Sequence, residues 1–378
     1  MGIDTERRTI VVSAINFTEG GPLSVLRDCL TEAVKLLADS FEIVALVHRA
    51  DLVEVPGVRY IEYPDSKGSW LRRLNYEYRG FRKLSQQLKP ELWLSLHDLT
   101  PNVIARRRAV YCHNPAPFHS MTFRDAWLDP RLLVFRLFYK FLYRINIRHN
   151  DRVVVQQEWI RDRFQQAFGL SDVLVAHPAV KSRSPEPVEM IRASDKITFF
   201  YPALARVFKN MEVIAEAASI LQSRGIRNFE VLLTVDGTET RYARWLKKRF
   251  AGVEALRFIG KLGRDKVFSR YFCADCLLFP SRLETWGMPI TEFKPTGKPM
   301  LVADLPYAHE TVGDYRNAAF FDPQNAAALA NLMLAVIEGR FVPDRADTAI
   351  PRAPFVEGWA DMLTELLKST RTEIRSGI

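Results

Sequence analysis

Cysteine is scarce in this sequence, which excludes one way of stabilising a fold. The 378 residues include only Cys29, Cys112, Cys273 and Cys276, too few for a disulfide-bonded scaffold of this size. The last two have the CxxC spacing of a metal or redox site, but no second CxxC accompanies them and they lie in the apolar run YFCADCLLFP. We therefore expect buried free thiols and no metal site.

Long apolar segments are missing as well. No uninterrupted apolar run approaches the roughly 20 residues that span a bilayer. The first residues, MGIDTERRTIVV, carry acidic side chains where a secretion signal has a basic leader and an apolar segment. We expect a cytoplasmic protein.

Several common catalytic and nucleotide-binding motifs are also absent. The sequence contains no GxGxxG and no GxxxxGK[ST], so a dehydrogenase or a P-loop enzyme lacks its main support. It also contains no HExxH and no GxSxG.

Apolar runs typical of buried strands alternate with helical patterns, which predicts α/β layers around parallel sheets. The first series of strand-like runs is TIVVSAI, FEIVALVH, ELWLSLH, RAVYCH and DRVVVQQ, and a second series is KITFFYPA, FEVLLTVDG, LRFIGKLG, CLLFPS and PMLVAD. Between the series, HPAVKSRSPEPVEMIRASD has three prolines and no periodicity. We predict domains at 1–182 and 196–355, a linker at 183–195, and a C-terminal helix in 356–378 that packs back on the first domain.

Ligands of such sheets bind beyond the carboxyl ends of the strands. Gly20 and Gly21 follow the first strand and allow close approach of the backbone where a helix begins, although Gly-Gly is also a common turn. In LLFPSRLETWGMPITEF a buried strand ends at Pro280 and Ser281, a loop follows, and a helix begins near Met288.

The stretch PSRLETWGMPITEF, continued by GKPMLVADLP, resembles the signature of the retaining glycosyltransferases of family 4, the group 1 family. Glu284 and Glu292, eight residues apart, match the paired glutamates of that family. The resemblance covers about 195–335 well and the first half only in layout. It implies the GT-B architecture, α/β with two Rossmann-like doubly wound domains facing a central cleft. The first domain would bind the acceptor and the second the nucleotide-diphosphate sugar.

The same resemblance implies roles for individual residues. Glu292 would accept the hydroxyls of the donor's ribose, and Glu284 those of the transferred sugar. Lys209 in YPALARVFKN matches the family's diphosphate-binding lysine, but the family's usual arginine is replaced by Leu204, so Arg206 is our substitute. Further donor contacts are expected from Lys261 and Leu262 and from the backbone N–H groups of Trp286, Gly287 and Met288.

The catalytic residues implied are His113, Glu284 and Lys209, with retention at the anomeric carbon through front-side displacement. His113 ends the run RAVYCH where the family often carries a histidine facing the sugar, and His97 in SLHDLTP is a rival. Either histidine could instead be a turn residue with satisfied hydrogen bonds. No cofactor or metal is expected besides the donor.

A basic helix is predicted over 131–148. Arg136, Lys140, Arg144 and Arg148 are four apart, and residues 101–150 carry nine Arg or Lys against two Asp. Aromatic and aliphatic residues gather on the other side of this helix. They would dock it on the first sheet, or the helix would lie on an anionic membrane surface, near a lipid-linked glycan acceptor.

Other classes remain as alternatives. A same-fold sugar-nucleotide epimerase or phosphorylase would share the donor site, and a membrane-associated scaffold could keep the fold without catalysis. Nucleic-acid binding would suit a pI near 9.4 but has no recognition motif to support it, so no nucleic-acid partner is expected. Assembly of cell-surface polysaccharide, such as lipopolysaccharide, O-antigen or capsule, is the function that the resemblance favours.

Overall fold

Strands and helices alternate along the chain and build two separate parallel sheets, as the sequence predicts. The structure is a computed structural model that describes residues 7–179, 195–345 and 350–368. The chain divides into two units, the first comprising Met1–Pro117, Leu137–Ala179 and Pro351–Ile378, the second Phe118–Arg136 and Val180–Ile350. The predicted linker 183–195 lies outside the described residues except for Asp195.

An eight-stranded sheet forms the core of the first unit. Its strands are β1 (Arg8–Ala14), β2 (Phe41–Val47), β3 (Val58–Glu62), β4 (Leu92–Ser95), β5 (Arg107–Cys112), β6 (Arg152–Val155), β7 (Val173–His177) and β14 (Phe355–Glu357), in the order β14-β7-β6-β5-β4-β1-β2-β3. Neighbouring strands are parallel. In β1, Ile10 and Val12 face one apolar cluster and Val11 the other, so the strand is buried on both faces.

A six-stranded parallel sheet forms the second unit. Its strands are β8 (Ile197–Tyr201), β9 (Phe229–Leu233), β10 (Leu256–Phe258), β11 (Cys276–Phe279), β12 (Met300–Ala303) and β13 (Ala318–Phe321), in the order β10-β9-β8-β11-β12-β13. The direction of winding reverses between β8 and β11. Loops that follow these two strands therefore open a crevice at the carboxyl edge, the usual ligand position in such sheets.

Thirteen α-helices occur in the described residues. They are α1 (Gly20–Leu37), α2 (Trp70–Asn75), α3 (Phe81–Leu88), α4 (Phe123–Leu128), α5 (Pro130–Arg144), α6 (Glu158–Phe168), α7 (Met211–Ser223), α8 (Arg241–Arg249), α9 (Arg264–Cys273), α10 (Met288–Phe293), α11 (Pro306–Val312), α12 (Ala326–Ile337) and α13 (Gly358–Leu367). None of the described helices is long and apolar enough to cross a membrane.

Strands β3, β7, β13 and β14 were not among the expected runs. Three of them, β3, β13 and β14, lie at the edges of their sheets. Edge strands are short or partly exposed, and the sequence of β3, VRYIE, has only half-buried or exposed residues. Their apolar pattern is therefore too weak to be recognised locally.

The chain returns to the first unit at its C-terminal end. Strand β14 pairs with β7, and α13 packs on α1, with Trp359, Met362 and Leu363 in the same apolar cluster as Leu26 and Leu30. Thus the helix in the predicted range 356–378 belongs to the fold of the first unit.

Residues 118–136 group with the second unit, although they lie inside the predicted first domain of 1–182. The reason is electrostatic as well as steric. Asp125 of α4 is buried against the Arg282 guanidinium at 3.2 Å, and Arg124 contacts Glu212 at 3.1 Å. The segment Phe118–Arg136 is called the 118–136 segment below.

The predicted basic helix 131–148 is shorter than expected. It ends at Arg144 because Asn146 adopts the left-handed conformation, with φ of 60°, which interrupts an α-helix. Arg148 lies in the turn that follows and donates its Nε hydrogen to the Phe168 carbonyl at 2.9 Å. It is therefore not part of a helical ladder.

The faces of α5 also differ from the expected ones. Tyr139 and Leu142 are buried, as docking on the first unit requires, but Phe138 and Phe141 are exposed. The expectation that the aromatic residues share one docked side is wrong for these two. The exposed face therefore combines apolar side chains with Lys140 and Arg144.

The cysteines are free thiols, as expected. Cys29, Cys112 and Cys276 are buried, and Cys273 is half-buried. Burial raises the pKa of the Cys276 thiol well above its ordinary value, so this thiol stays protonated.

Candidate functional site

An ion pair lies at the crevice of the second sheet. Lys209 ends the turn Val207–Lys209 after β8, and Glu284 lies in the loop after the neighbouring strand β11. The Lys209 ammonium contacts the Glu284 carboxylate directly, and both side chains are largely buried. The structure thus brings together two residues, 75 positions apart, that the sequence analysis assigned to one site.

Buried hydroxyl groups fix both loops beneath this pair. The Tyr201 hydroxyl donates to the Lys209 carbonyl at 2.9 Å and lies 2.7 Å from the Ser281 hydroxyl. Tyr307 donates to the Ser281 carbonyl at 2.7 Å. Burial, followed by the nearby Glu284 charge, raises the pKa of Tyr201 and of Tyr307 well above the ordinary value. Both hydroxyls therefore remain neutral donors. The sequence analysis did not identify them, because a Tyr at a strand end has no distinctive local pattern.

The Phe208 ring separates the two predicted phosphate-binding cations. The Arg206 guanidinium lies 5.7 Å from the ring centroid and the Lys209 ammonium 5.6 Å. Arg206 also donates from Nε to the Asp129 carboxylate at 2.8 Å. Each of the two cations is therefore paired with a carboxylate, Arg206 with Asp129 and Lys209 with Glu284. The role of Arg206 as a substitute for the family's arginine stays a prediction.

Arg282 connects the signature loop to the 118–136 segment. Its backbone N–H donates to the Phe208 carbonyl at 2.7 Å, and its guanidinium donates to the Val207 carbonyl at 2.8 Å and to Asp125. Burial raises the pKa of Asp125, but the Arg282 charge and the Thr122 hydrogen bonds outweigh it and lower the pKa overall. Arg282 was inside the recognised motif, yet only the structure gives it these partners.

His119, in the 118–136 segment, lies close to the turn that carries Lys209. It is buried near the Phe208 ring, 6.3 Å between ring centroids, and its Nε2 has no hydrogen-bond partner in the described part of the chain. Burial, and then repulsion by Arg282, lower its pKa to about 4. His119 is thus neutral at physiological pH. The sequence analysis missed it because a lone histidine in NPAPFHS carries no motif.

The loop before α10 has a backbone that requires glycine. Gly287 has φ of 86°, and a Cβ there would lie 3.3 Å from side-chain atoms of Phe279 and Ile290. Trp286 is buried and donates its Nε1 hydrogen to the Thr291 hydroxyl at 2.9 Å, whereas Met288 is partly exposed. The helix that follows is only six residues long. Its dipole is correspondingly small, so a diphosphate there would depend chiefly on N–H groups and Lys209.

Glu292 contacts two residues of α9. Its carboxylate accepts a hydrogen bond from the Tyr271 hydroxyl at 3.0 Å, and Arg264 lies 3.9 Å away. Burial raises the pKa of Glu292 despite these two partners. A half-satisfied buried carboxylate is a good acceptor for further hydroxyl groups, which suits the predicted contact with a ribose.

Lys261 and Leu262 follow β10, at the same carboxyl edge but two strands from β8. Lys261 is exposed and Leu262 half-buried, and Gly260 before them has φ of 73°. The structure shows no direct bond from these residues to Lys209 or Glu284. Their predicted contact with the donor remains a prediction.

In the first unit, His113 lies just beyond the end of β5. One Asp98 oxygen accepts the backbone N–H of His113 at 2.7 Å and the Tyr143 hydroxyl at 2.9 Å, and the His113 Nδ1 lies 3.9 Å from the same oxygen. The imidazole contacts the Phe17 ring at 5.6 Å between centroids. Asp98 thus positions the backbone that carries His113.

The rival histidine, His97, has a structural role. It is fully buried, with Nδ1 2.9 Å from the Ser13 carbonyl and Nε2 2.5 Å from Glu77. Of the two roles considered for these histidines, His97 therefore has the structural one, with both ring nitrogens hydrogen-bonded. Gly20 and Gly21 begin α1, Gly20 with φ of 68°, and open space surrounds both positions.

The fold places the chain in the GT-B class, with two Rossmann-like α/β units. Solved structures with this fold include Anabaena HepE in complex with UDP-glucose, with a TM-score of 0.61, 17% identity, and coverage of 88% of this chain and 90% of that one. They also include the lipopolysaccharide outer core galactosyltransferase WaaB, with a TM-score of 0.60, 12% identity, and coverage of 89% and 92%.

Sequence comparison is more specific for the second unit. Residues 186–352 match the family model of the glycosyl transferases group 1. The O-antigen chain mannosyltransferase RfbU of Salmonella typhimurium is 21% identical over 293 residues, which are 74% of this chain and 77% of RfbU. The family recognised from Glu284, Glu292 and their surroundings is confirmed at the level of group 1.

Proposed function

We propose that this protein transfers a sugar from a nucleotide-diphosphate sugar to a lipid-linked glycan during assembly of a cell-surface polysaccharide. The observation that carries the proposal is the contact between Lys209 and Glu284 at the crevice between β8 and β11. The relatedness to an O-antigen mannosyltransferase supports the pathway, and the UDP-glucose complex of a protein of the same fold supports the class of donor.

The ion pair suggests how the donor is received. A diphosphate that binds beside Lys209 would replace Glu284 as the partner of the ammonium group. The Glu284 carboxylate would then be available to accept hydrogen bonds from hydroxyls of the sugar. When the donor bond breaks, negative charge grows on the diphosphate, so the Lys209 charge stabilises the transition state more than the ground state. Tyr201 and Ser281 keep the two loops in place, so little reorganisation is needed.

We further propose that the reaction proceeds with retention, without a metal ion, in the cytoplasm. In a front-side displacement the leaving diphosphate itself takes the acceptor's proton, and His113 contacts the sugar. NMR of the purified product decides the stereochemistry, since an inverted anomeric centre would exclude this mechanism. Transfer in the presence of EDTA tests the proposed independence of metal.

The first experiment measures release of nucleoside diphosphate from GDP-, UDP-, dTDP- and ADP-sugars. Release from one donor is expected, with losses of about a hundredfold in Lys209→Ala, because removing one group that stabilises developing charge costs this much. Glu292→Ala is expected to raise the KM for the same donor. Lys248→Ala, which removes an exposed lysine of α8, is the matched control and should behave as the wild type.

Two outcomes would contradict the proposal. If no donor raises the melting temperature and none is consumed, even with a lipid-linked glycan present, the protein is a scaffold. If the sugar nucleotide is converted without transfer to any acceptor, the epimerase alternative replaces the transferase.

A further inference from the structure

An exposed apolar surface lies on the first unit where α2 meets the second half of α5. Its members are largely solvent-accessible, with relative exposures of 42% for Trp70, 79% for Leu71, 65% for Leu137, 39% for Phe138 and 63% for Phe141. The Trp70 and Phe138 rings are in edge contact, 5.5 Å between centroids, which joins the two helices into one surface. These five residues are called the α2–α5 patch.

The patch is not the face that attaches α5 to the first unit. α5 is attached by its opposite face, where Tyr139, Leu142 and Tyr143 are almost fully buried. Tyr143 contacts the Phe164 ring at 5.0 Å and donates to Asp98. Single exposed apolar residues are common, but a group of five on two helices in contact indicates a surface that binds something apolar.

The charged residues that flank the patch along α2 and α5 are basic. Neither α2 nor α5 contains an acidic residue. Arg72, Lys140 and Arg144 are exposed next to the patch in sequence, and Asp65 lies 3.6 Å from Arg72, with both side chains more than half exposed. An exposed pair of this kind neutralises little of the local charge.

We infer that the α2–α5 patch binds the surface of an anionic lipid bilayer. Aromatic and aliphatic side chains enter the boundary between headgroups and acyl chains, and flanking cations contact lipid phosphates. A second copy of the chain fits less well, since a two-fold interface would place Arg72, Lys140 and Arg144 against their own counterparts. The inference goes beyond the proposed function and replaces the predicted ladder of cations with a mixed apolar and basic surface.

The test is co-sedimentation of the full chain with vesicles of phosphatidylcholine alone or mixed with phosphatidylglycerol. We expect retention on the anionic vesicles at low salt and release at high salt. Lys140→Gln should weaken partitioning about fivefold, because each cation near such a surface adds about 1 kcal/mol. Phe141→Glu should weaken it more than tenfold, since it removes apolar area and adds a repelled charge.

Matched controls come from the second unit. Val342→Glu changes another exposed apolar residue, and Lys248→Gln another exposed lysine. Both should bind vesicles like the wild type, and all four variants should keep the melting temperature, since each site is exposed.

Three results would overturn the inference. The first is no retention on anionic vesicles at low salt, and the second is an equal loss in the Val342→Glu control. The third is a lipid-free dimer in analytical ultracentrifugation that Phe141→Glu dissociates, which would make a second copy the occupant. No sugar donor or acceptor is present in these experiments, so their failure leaves the proposed transferase activity untouched.

Discussion

Tyr201 determines how Lys209 and the loop after β11 lie relative to each other. Its hydroxyl bonds both to the Lys209 carbonyl and to the Ser281 hydroxyl, so one buried group joins the two loops of the crevice. In the proposed reaction its role would be to position Lys209 and the loop after β11.

Replacing this hydroxyl should therefore impair the reaction more than the fold. For Tyr201→Phe we expect a fall in kcat of about tenfold with a small change in KM, because Lys209 loses its fixed position, and a stability loss of about 1 kcal/mol. Steady-state kinetics with the identified donor and thermal unfolding measure the two effects.

Tyr315→Phe is the matched control. The Tyr315 hydroxyl also donates to one backbone carbonyl, that of Lys298 at 2.6 Å, which belongs neither to the turn Val207–Lys209 nor to the loop after β11. The control should show a similar stability loss and an unchanged kcat. Equal activity of both variants would show that Tyr201 has no positioning role.

The 118–136 segment shows how an element can belong to a unit that its sequence position does not indicate. Asp125 serves twice, because its carboxylate completes a capping box with Thr122 at the start of α4 and pairs with Arg282. Arg241 of α8 also contacts this segment, because its guanidinium carbon lies 3.6 Å from the centroid of the Trp127 ring.

Removal of Asp125 should destabilise the second unit strongly. Asp125→Ala leaves Arg282 largely buried without one of its carboxylates, which typically costs about 3–5 kcal/mol. Because the pKa of Asp125 is lowered in the folded state, its stabilisation is present above the ordinary pKa of aspartate and is lost as pH falls. Urea unfolding at neutral and acidic pH, followed by tryptophan fluorescence, measures both effects.

The control for this change is Glu254→Ala. Glu254 forms an exposed ion pair with Arg227, which contributes under about 1 kcal/mol. If Asp125→Ala were no more destabilising than this control, or if its effect did not diminish at acidic pH, the proposed importance of the buried pair would be wrong.

Across the whole molecule, neither unit is one continuous stretch of chain. The first unit is made of three segments and the second of two. The last segment of the first unit ends in α13, whose Leu363 is fully buried in the cluster that contains Leu26 and Leu30 of α1. Strand β14 and helix α13 are thus structural parts of the unit whose first strand begins at Arg8.

A cavity created by truncating a buried side chain of α13 should therefore also destabilise the strands and helices at the beginning of the chain. Leu363→Ala is expected to destabilise the first unit by about 2–5 kcal/mol, the usual cost of such a core truncation. Hydrogen exchange should become faster in β1, β7 and α1 while β8 and β9 stay protected. Leu221→Ala, in α7 of the second unit, should show the reverse pattern. Faster exchange confined to α13 itself would contradict this view.

Much of the site was recognisable from local sequence. Glu284 and Glu292 lie in one motif, and Lys209 lies in another. Each could therefore be recognised as a candidate site residue from the residues next to it in the sequence. Tyr201, Tyr307, Asp125 and His119 could not, because their roles depend on partners far away in sequence. The pairing of Lys209 with Glu284 likewise depends on β8 and β11 being adjacent in the sheet.

The α/β class, the two series of parallel strands and the match of residues 186–352 to the group 1 family follow from the amino-acid sequence alone. Burial on both faces leaves continuous apolar runs in a strand, and motifs are local, so both can be read without coordinates. Three features required the folded structure: the exposed face of α5, the grouping of the 118–136 segment with the second unit, and the packing of α13 in the first unit. These features follow from contacts between distant residues, which periodicity does not record.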